Sequence, residues 1–274
     1  MPEGDTVHRA ARRLNEVLAG REVTRCDIRV PAFATADLSG HRVHEVVAVG
    51  KHLLMRVGGT TVHSHLKMEG SWHVYRPGSR WRRPAFEARM VLDVGPTPGD
   101  TGAEGDGTPD PGWQAVGFAL GELELVPTRD EDSIVGRLGP DPLGERFDRD
   151  EALRRLTADP GRPIGLALLD QHTVAGLGND YRNEVLFLRG VLPETPIGQT
   201  DAAAVLDLAV RLIRANRDRV ERVTTGDTRR GRRLWVAHRE NEPCRRCGTR
   251  IRMGHLGDDA LTERQTFVCP SCQR

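Results

Sequence analysis

The chain of 274 residues carries 40 Lys and Arg against 39 Asp and Glu, a formal charge of +1 at pH 7, so net charge alone makes no case for a polyanionic partner. The length allows about two domains plus a small module with a real core, and no apolar run is long enough to cross a bilayer. The chain opens on charged residues without an apolar leader, which predicts a cytoplasmic protein in a reducing compartment.

Val7, Ala10, Ala11, Leu14 and Leu18 repeat at helical spacing opposite Arg9, Arg12 and Arg13, predicting an N-terminal helix with Asp5 or Thr6 as its cap. Short strand-like runs follow at Glu22–Val30, Val43–Val49, Leu53–Val57, Thr60–His65, Trp72–Tyr75, Glu87–Val94, Ala115–Leu120 and Leu123–Val126. Gly and Pro punctuate them and no helix intervenes, which favours an antiparallel sandwich or barrel over a parallel sheet. Cys26 alternates with Ile28 and Val30 and reads as a buried strand residue without chemistry. Residues 95–113 carry Asp100, Glu104, Asp106 and Asp110 with no basic residue and much Gly and Pro, predicting a disordered hairpin tip.

After about Thr128 the periodicity becomes helical, over Asp150–Thr157, Ile164–Leu169, Asp180–Leu188 and Asp201–Val220. The fold class is therefore α+β, with expected domains at 1–128 (β-sandwich introduced by a helix), 129–225 (helical) and 236–274 (a four-cysteine zinc finger). Val174-Ala-Gly-Leu-Gly-Asn179 links two of the helices. Its glycines, Gly178 among them, allow a tight turn that aims backbone amides at the start of the next helix, where an anion such as phosphate is favoured. Asn179 adds a side-chain donor.

Cys244-x2-Cys247 and Cys269-x2-Cys272, separated by twenty-one residues, have the spacing of a tetrahedral four-thiolate site for one structural Zn2+. Such a site replaces the core that so short a segment lacks. From Thr228 to Arg252 nine arginines stand against Glu240 and Glu242, a basic stripe of the kind that neutralises phosphates. Only two lysines occur, Lys51 and Lys67, so a lysine kept against this bias is a candidate for work that needs a compact, titratable ammonium. His63 and His65 share a strand, but no third or fourth metal ligand accompanies them and packing is the better reading.

Met1 precedes Pro2, and removal of the initiator would expose a secondary amine whose pKa of about 8 leaves part of it unprotonated at neutral pH. Such an amine can attack a sugar C1′ and condense to an iminium. Glu3, beside it, could protonate a sugar oxygen or shuttle a proton.

Taken together, Met1-Pro2-Glu3-Gly4, Gly50-Lys51-His52-Leu53-Leu54, His63-Ser64-His65-Leu66, Leu138-Gly-Pro-Asp-Pro-Leu143, Asp170-Gln171 through Gly176-Leu-Gly-Asn-Asp-Tyr181 and the finger from Glu242-Pro243-Cys244 resemble the formamidopyrimidine-DNA glycosylase and endonuclease VIII family, in order along the chain. The resemblance implies a helix–two-turn–helix domain and a bifunctional DNA glycosylase and apurinic/apyrimidinic lyase of base-excision repair. Pro2 would attack C1′ and hold the opened sugar as a Schiff base, and Glu3 would protonate the ring oxygen and assist β,δ-elimination. Lys51 would contact phosphate near the lesion, Asn179 and Arg264 would grip the phosphates flanking a flipped nucleotide, and Met68 would fill the vacated stack. The partner is damaged DNA, the protein a monomer without a membrane partner, associated with the nucleoid through that DNA.

The start departs from the formamidopyrimidine branch, with Thr6 where that branch places a second carboxylate, and an Asp-Pro-Arg-Arg-Phe-Gly type of hairpin is missing. Both departures point to the endonuclease VIII branch and to oxidised pyrimidines. Whether Asp5 replaces the lost carboxylate is left open by the sequence, and no specificity follows from Arg229–Arg233. The rival readings are an oxidised-purine glycosylase, a catalytically idle damage-binding protein, and a proline-nucleophile tautomerase, which the size and the cysteine module make poor.

Overall fold

The structure, a computed structural model, describes residues 2–96 and 110–274. The chain forms two compact units, one of residues 7–137 with Pro2, the other of residues 138–274 with Glu3–Thr6.

Helix α1 (Gly4–Leu18) turns Val7, Ala11, Leu14 and Leu18 into the core of the first unit, as their spacing predicts. Neither Asp5 nor Thr6 caps it. The helix starts at Gly4, ahead of both; the Thr6 amide is shared between the Glu3 carbonyl at 2.9 Å and Asp5 Oδ1 at 2.8 Å, and the Asp5 carboxylate is otherwise taken up by Arg222 and Tyr181. Among the described residues eight strands follow: β1 (Val23–Ile28), β2 (Val43–Val49), β3 (His52–Val57), β4 (Thr60–His65), β5 (Ser71–Tyr75), β6 (Ala88–Val94), β7 (Trp113–Phe118) and β8 (Glu122–Pro127). They make two antiparallel sheets of four strands, ordered β1-β6-β7-β5 and β2-β3-β4-β8. The inner faces bury Leu53, Met55, Val62, Met90, Leu92 and Ala115 in one core, so the period-2 alternation expected of a sandwich is realised. β7 ends before the predicted Leu120 because Ala119 takes a left-handed backbone, φ 45°, ahead of the turn into β8. Cys26 is half-buried rather than fully buried, packed on the margin of this core.

The acidic tip expected over residues 95–113 lies for the most part outside the described residues. Its far end is held: Asp110 Oδ2 accepts from Arg21 at 2.6 Å and Oδ1 from Arg76 at 2.9 Å. The short helix α2 (Asp132–Val135) closes the unit.

In the second unit α3 (Arg149–Leu156), α4 (Ile164–Ala167), α5 (Asn179–Arg189) and α6 (Ala202–Asn216) share a core of Leu156, Ile164, Val174, Tyr181, Leu206 and Ile213. Asp148 and Asp201 cap α3 and α6 by accepting from the amides three residues on. α6 stops four residues short of the expected Val220. Fully buried Asn216 turns its side chain to the next segment, donating to the Val223 carbonyl at 3.0 Å and accepting from the Val223 amide at 2.7 Å. The chain then reaches a hairpin, β9 (Arg252–Leu256) with β10 (Arg264–Val268), flanked by the two cysteine pairs and packed around Phe187, Val236, Ile251 and Phe267.

Candidate active site

Glu3 is fully buried, and its carboxylate sits on the N-terminus of α5. Oε2 accepts from the Gly178 amide at 2.7 Å and Oε1 from the Asp180 amide at 2.8 Å. These are the orphan donors of a helix start, and the positive end of the helix dipole favours the anion there. The glycine turn was expected to offer these amides to phosphate; the anion they receive is the chain's own carboxylate. Gly178 is required for space, since a Cβ would lie 2.5 Å from Glu3 Cδ, while its φ of −136° is open to any residue. Close by, the Gly4 amide donates to the Gly176 carbonyl at 2.9 Å.

Arg222 joins Glu3 to two further acids. Its Nη1 lies 2.5 Å from Asp180 Oδ2 and 3.4 Å from Glu3 Oε1, and its Nε and Nη2 reach Asp5 at 3.1 and 2.8 Å. The guanidinium covers the Tyr181 ring at 4.5 Å, and the Tyr181 hydroxyl donates to Asp5 Oδ2 at 2.8 Å. Burial pushes the Asp5 carboxyl up, but the Arg222 charge and the hydrogen bonds from Arg222 and Tyr181 outweigh it and hold Asp5 below its ordinary value. Asp180 behaves alike: burial raises it, and the hydrogen bond with His238 and the Arg222 charge bring it below. Asp5 is thus a second buried carboxylate that shares Arg222 with Glu3. Arg222 and His238 had no signal in the sequence; Arg222 lies in an Arg-rich stretch that reads as a solvated helix end.

A second cluster ties α5 to the β10 strand. The Gln265 carbonyl accepts from Asn179 Nδ2 at 2.9 Å, from Arg182 Nη2 at 2.8 Å and from Asn183 Nδ2 at 3.3 Å, and the Phe267 amide donates to Asn183 Oδ1 at 2.9 Å. The finger hairpin is thereby registered against the helix, with Arg264 next in sequence to the shared acceptor and Asn179 nine-tenths buried beneath it. The exposed Arg264 donates to the carbonyl of Glu263 at 2.8 Å. Arg182, also unforeseen, holds Asn179 Oδ1 at 2.5 Å, and its Nε and Nη1 are buried without a hydrogen-bond partner. Burial lowers its guanidinium to about 10. One turn further, fully buried Glu184 accepts from the amides of Trp235, Val236 and Ala237 at 2.7 to 2.9 Å and from the Thr224 hydroxyl, which pins the entry to the cysteine module.

The four expected cysteines converge, all Sγ atoms lying within 4.8 Å of one another, and they are the one such ligand group among the described residues. Sγ separations of 3.4, 3.5 and 3.9 Å are too long for a disulfide and match the edge of about 3.8 Å that a tetrahedron of Zn–S bonds would set. With no cation present, burial pushes Cys272 up to about 12, while hydrogen bonds from Thr249 bring Cys247 down to about 6. A divalent ion would hold all four as thiolates.

Pro2, Lys51 and Met68 belong to the other unit. Pro2 is half-buried. Lys51 sits in the two-residue turn joining β2 to β3, where Gly50 supplies φ 60°. His52 pairs with His65 across β3 and β4, so the Lys51 turn and the Leu66–Gly70 segment leave the same end of the sheet. Met68 is 67 % exposed, unlike a core methionine. Lys67 is paired with Glu122 at 2.5 Å. His63 packs between His52, at 2.9 Å, and Glu124, at 3.3 Å. Burial brings His52 and His65 down to about 4, so these rings are neutral at physiological pH.

Residues 1–103 match the formamidopyrimidine-DNA glycosylase N-terminal domain, and residues 138–221 match the formamidopyrimidine-DNA glycosylase H2TH domain. The chain is 50 % identical to a probable endonuclease 8 2 of Streptomyces coelicolor, over all of this chain and 94 % of the relative. It is 44 % identical to the DNA-(apurinic or apyrimidinic site) lyase Nei2 of Mycolicibacterium smegmatis, over 100 % of this chain and 99 % of that one. The fold matches, end to end, that of MutM in complex with carbocyclic 8-oxo-G containing DNA, with a TM-score of 0.77 at 22 % identity. The chain belongs to the formamidopyrimidine-DNA glycosylase and endonuclease VIII family, on its endonuclease VIII side.

Proposed function

We propose that this protein is a bifunctional DNA glycosylase and apurinic/apyrimidinic lyase that removes oxidised bases, oxidised pyrimidines above all. The observation that carries the reading is the Glu3 carboxylate, buried and fixed by two backbone amides, in the residue that follows Pro2. Once Met1 is removed, the Pro2 nitrogen is a secondary amine. Its lone pair forms the bond to C1′, the glycosidic bond breaks, and the base leaves with the bonding electrons. The departing base takes up the proton that the Pro2 nitrogen loses, and Glu3 gives a proton to the ring oxygen, so that the sugar opens to an iminium, the Schiff base with Pro2. Abstraction of a C2′ proton expels the 3′ phosphate, a second elimination expels the 5′ phosphate, and the strand is nicked.

Asn179 and Arg264 serve the phosphates beside the flipped nucleotide, Gly178 gives Glu3 its space, Lys51 carries a cation to the backbone from its turn, and exposed Met68 enters the stack. The segments 1–128, 129–225 and 236–274 act as catalytic, helix–two-turn–helix and finger modules. Cys244, Cys247, Cys269 and Cys272 would hold one Zn2+, which supplies a cross-link and no step of the reaction. Damaged DNA is the partner, and a monomer suffices.

Borohydride trapping tests the reading on two duplexes, one with dihydrouracil and one with 8-oxoguanine opposite cytosine, with the cross-linked peptide mapped. An adduct at Pro2, stronger with dihydrouracil, is expected. Stronger trapping with 8-oxoguanine would move the preference to purines, and no adduct on either would overturn the lyase mechanism.

A further inference from the structure

His238 reaches the Glu3 centre through Asp180. Its Nε2 stands 2.8 Å from Asp180 Oδ1, the other oxygen of Asp180 accepts from Arg222, and the Asp180 amide donates to Glu3. One guanidinium therefore serves three carboxylates, those of Glu3, Asp5 and Asp180, each nearly or fully buried. The His238 side chain is 54 % exposed, so it exchanges protons with solvent where the acids do not. Histidine is also the member of the set that changes charge near neutral pH. The backbone at His238 is left-handed, φ 60°.

We propose that His238 is a positioning residue for Glu3, setting through Asp180 how far Arg222 is committed to the Glu3 carboxylate and how much negative charge surrounds it. The inference rests on the reading of Glu3 as the proton carrier. With His238 protonated, Asp180 has a cation of its own and Arg222 is shared between Glu3 and Asp5. When His238 loses its proton, Asp180 depends on Arg222, whose Nη1 already lies nearer to Asp180, at 2.5 Å, than to Glu3, at 3.4 Å. The three carboxylates then share one positive charge fewer, which favours the neutral, proton-carrying form of Glu3. The device acts against the medium, because rising pH takes a proton from His238 and makes Glu3 hold its own more firmly.

Other charged and polar groups also act on these residues. Asp180 and Arg222 bear on His238, whose ring lies 5.6 Å from that of Phe267, and the Asp180 hydrogen bond outweighs burial to raise His238 above its ordinary value. Glu3 interacts in addition with Arg182 and Tyr181.

Coupling of this kind is reciprocal, so Glu3 must be felt at His238. NMR titration of the His238 ring in the full-length protein, assigned with His238→Gln, should show its midpoint falling in Asp180→Asn by about one pH unit and in Glu3→Gln by about 0.3 unit. Single-turnover base excision with saturating enzyme gives the second readout. His238→Lys keeps a permanent cation at this place, so its alkaline loss of rate should come at least about half a pH unit lower than in His238→Gln. A His238 midpoint blind to Glu3→Gln, or superposable rate profiles for the two His238 variants, would overturn the inference. Full excision by Glu3→Gln would instead remove the reading of Glu3 on which it rests.

Discussion

A side chain on residue 178 cannot coexist with Glu3 where Glu3 now lies, because a Cβ there would approach Glu3 Cδ to 2.5 Å and Oε1 to 2.8 Å. Gly178→Ala has no backbone penalty at φ −136°, so its effect reads out the place of Glu3 alone. The carboxylate must leave two charge-assisted hydrogen bonds, each worth about 1.5–3 kcal/mol. We expect a loss of base excision of at least ~100-fold, consistent with about 2.7 kcal/mol or more withdrawn from the transition state, with the four-cysteine site and its metal content unaltered. Single-turnover excision measured beside metal content would show this, and an alanine variant within a few-fold of wild type would mean that Glu3 tolerates displacement.

Arg222 supports the same carboxylate from its other side. Removing it in Arg222→Ala leaves Glu3, Asp5 and Asp180 buried without their shared cation, a change of the kind that costs about 3–5 kcal/mol. Arg222→Lys should recover little, since one ammonium cannot span three acceptors as the guanidinium fork does. The pH dependence has a definite sign. Asp5 and Asp180 are held below their ordinary values, so their contribution is present above about pH 4 and is lost as pH falls through the folded-state values. Thermal unfolding from pH 7 down to pH 3 should therefore show the gap between wild type and Arg222→Ala widest at neutral pH and closing in acid. A gap that is constant with pH would assign the loss to packing over Tyr181.

The sequence carries the parts of this architecture that local pattern can encode. The stripe of α1, the strand-like runs of β2, β3 and β4, and the four cysteines are each set by neighbours within a turn or a strand. What it does not carry are pairings over distance: Glu3 meets the Gly178 amide 175 positions on, and Asp5 meets Arg222 217 positions on. Arg217-Asp218-Arg219-Val220-Glu221-Arg222 looks like the polar end of a helix, and the fold instead ends α6 at Asn216 and buries the last arginine of the run. Arg182 escaped notice for a similar reason, as an arginine on an amphipathic helix reads as solvated until a hairpin from the cysteine module covers it. Glycine spacing predicted an anion at the start of α5, though not that the anion would come from the third residue of the chain.

Metal removal should separate the two sets of contacts made at the start of α5. The Gln265 carbonyl, which takes hydrogen bonds from Asn179, Arg182 and Asn183, lies on a hairpin anchored by Cys244, Cys247, Cys269 and Cys272. The bonds from Glu3 to the Gly178 and Asp180 amides involve no residue of that hairpin. Stripping the ion with a chelator under reducing conditions should therefore loosen Arg264 and Asn179 first, weakening binding to an abasic-site duplex by at least ~10-fold, about 1.4 kcal/mol. Borohydride trapping at enzyme concentrations that restore saturation should fall by a smaller factor. Readdition of Zn2+ should recover binding, and Cys247→Ser should reproduce the chelated state. Equal losses of binding and of trapping at saturation would show instead that the cysteine module supports the Glu3 centre itself, with Glu184 and its three amide donors at residues 235–237 the connection to examine.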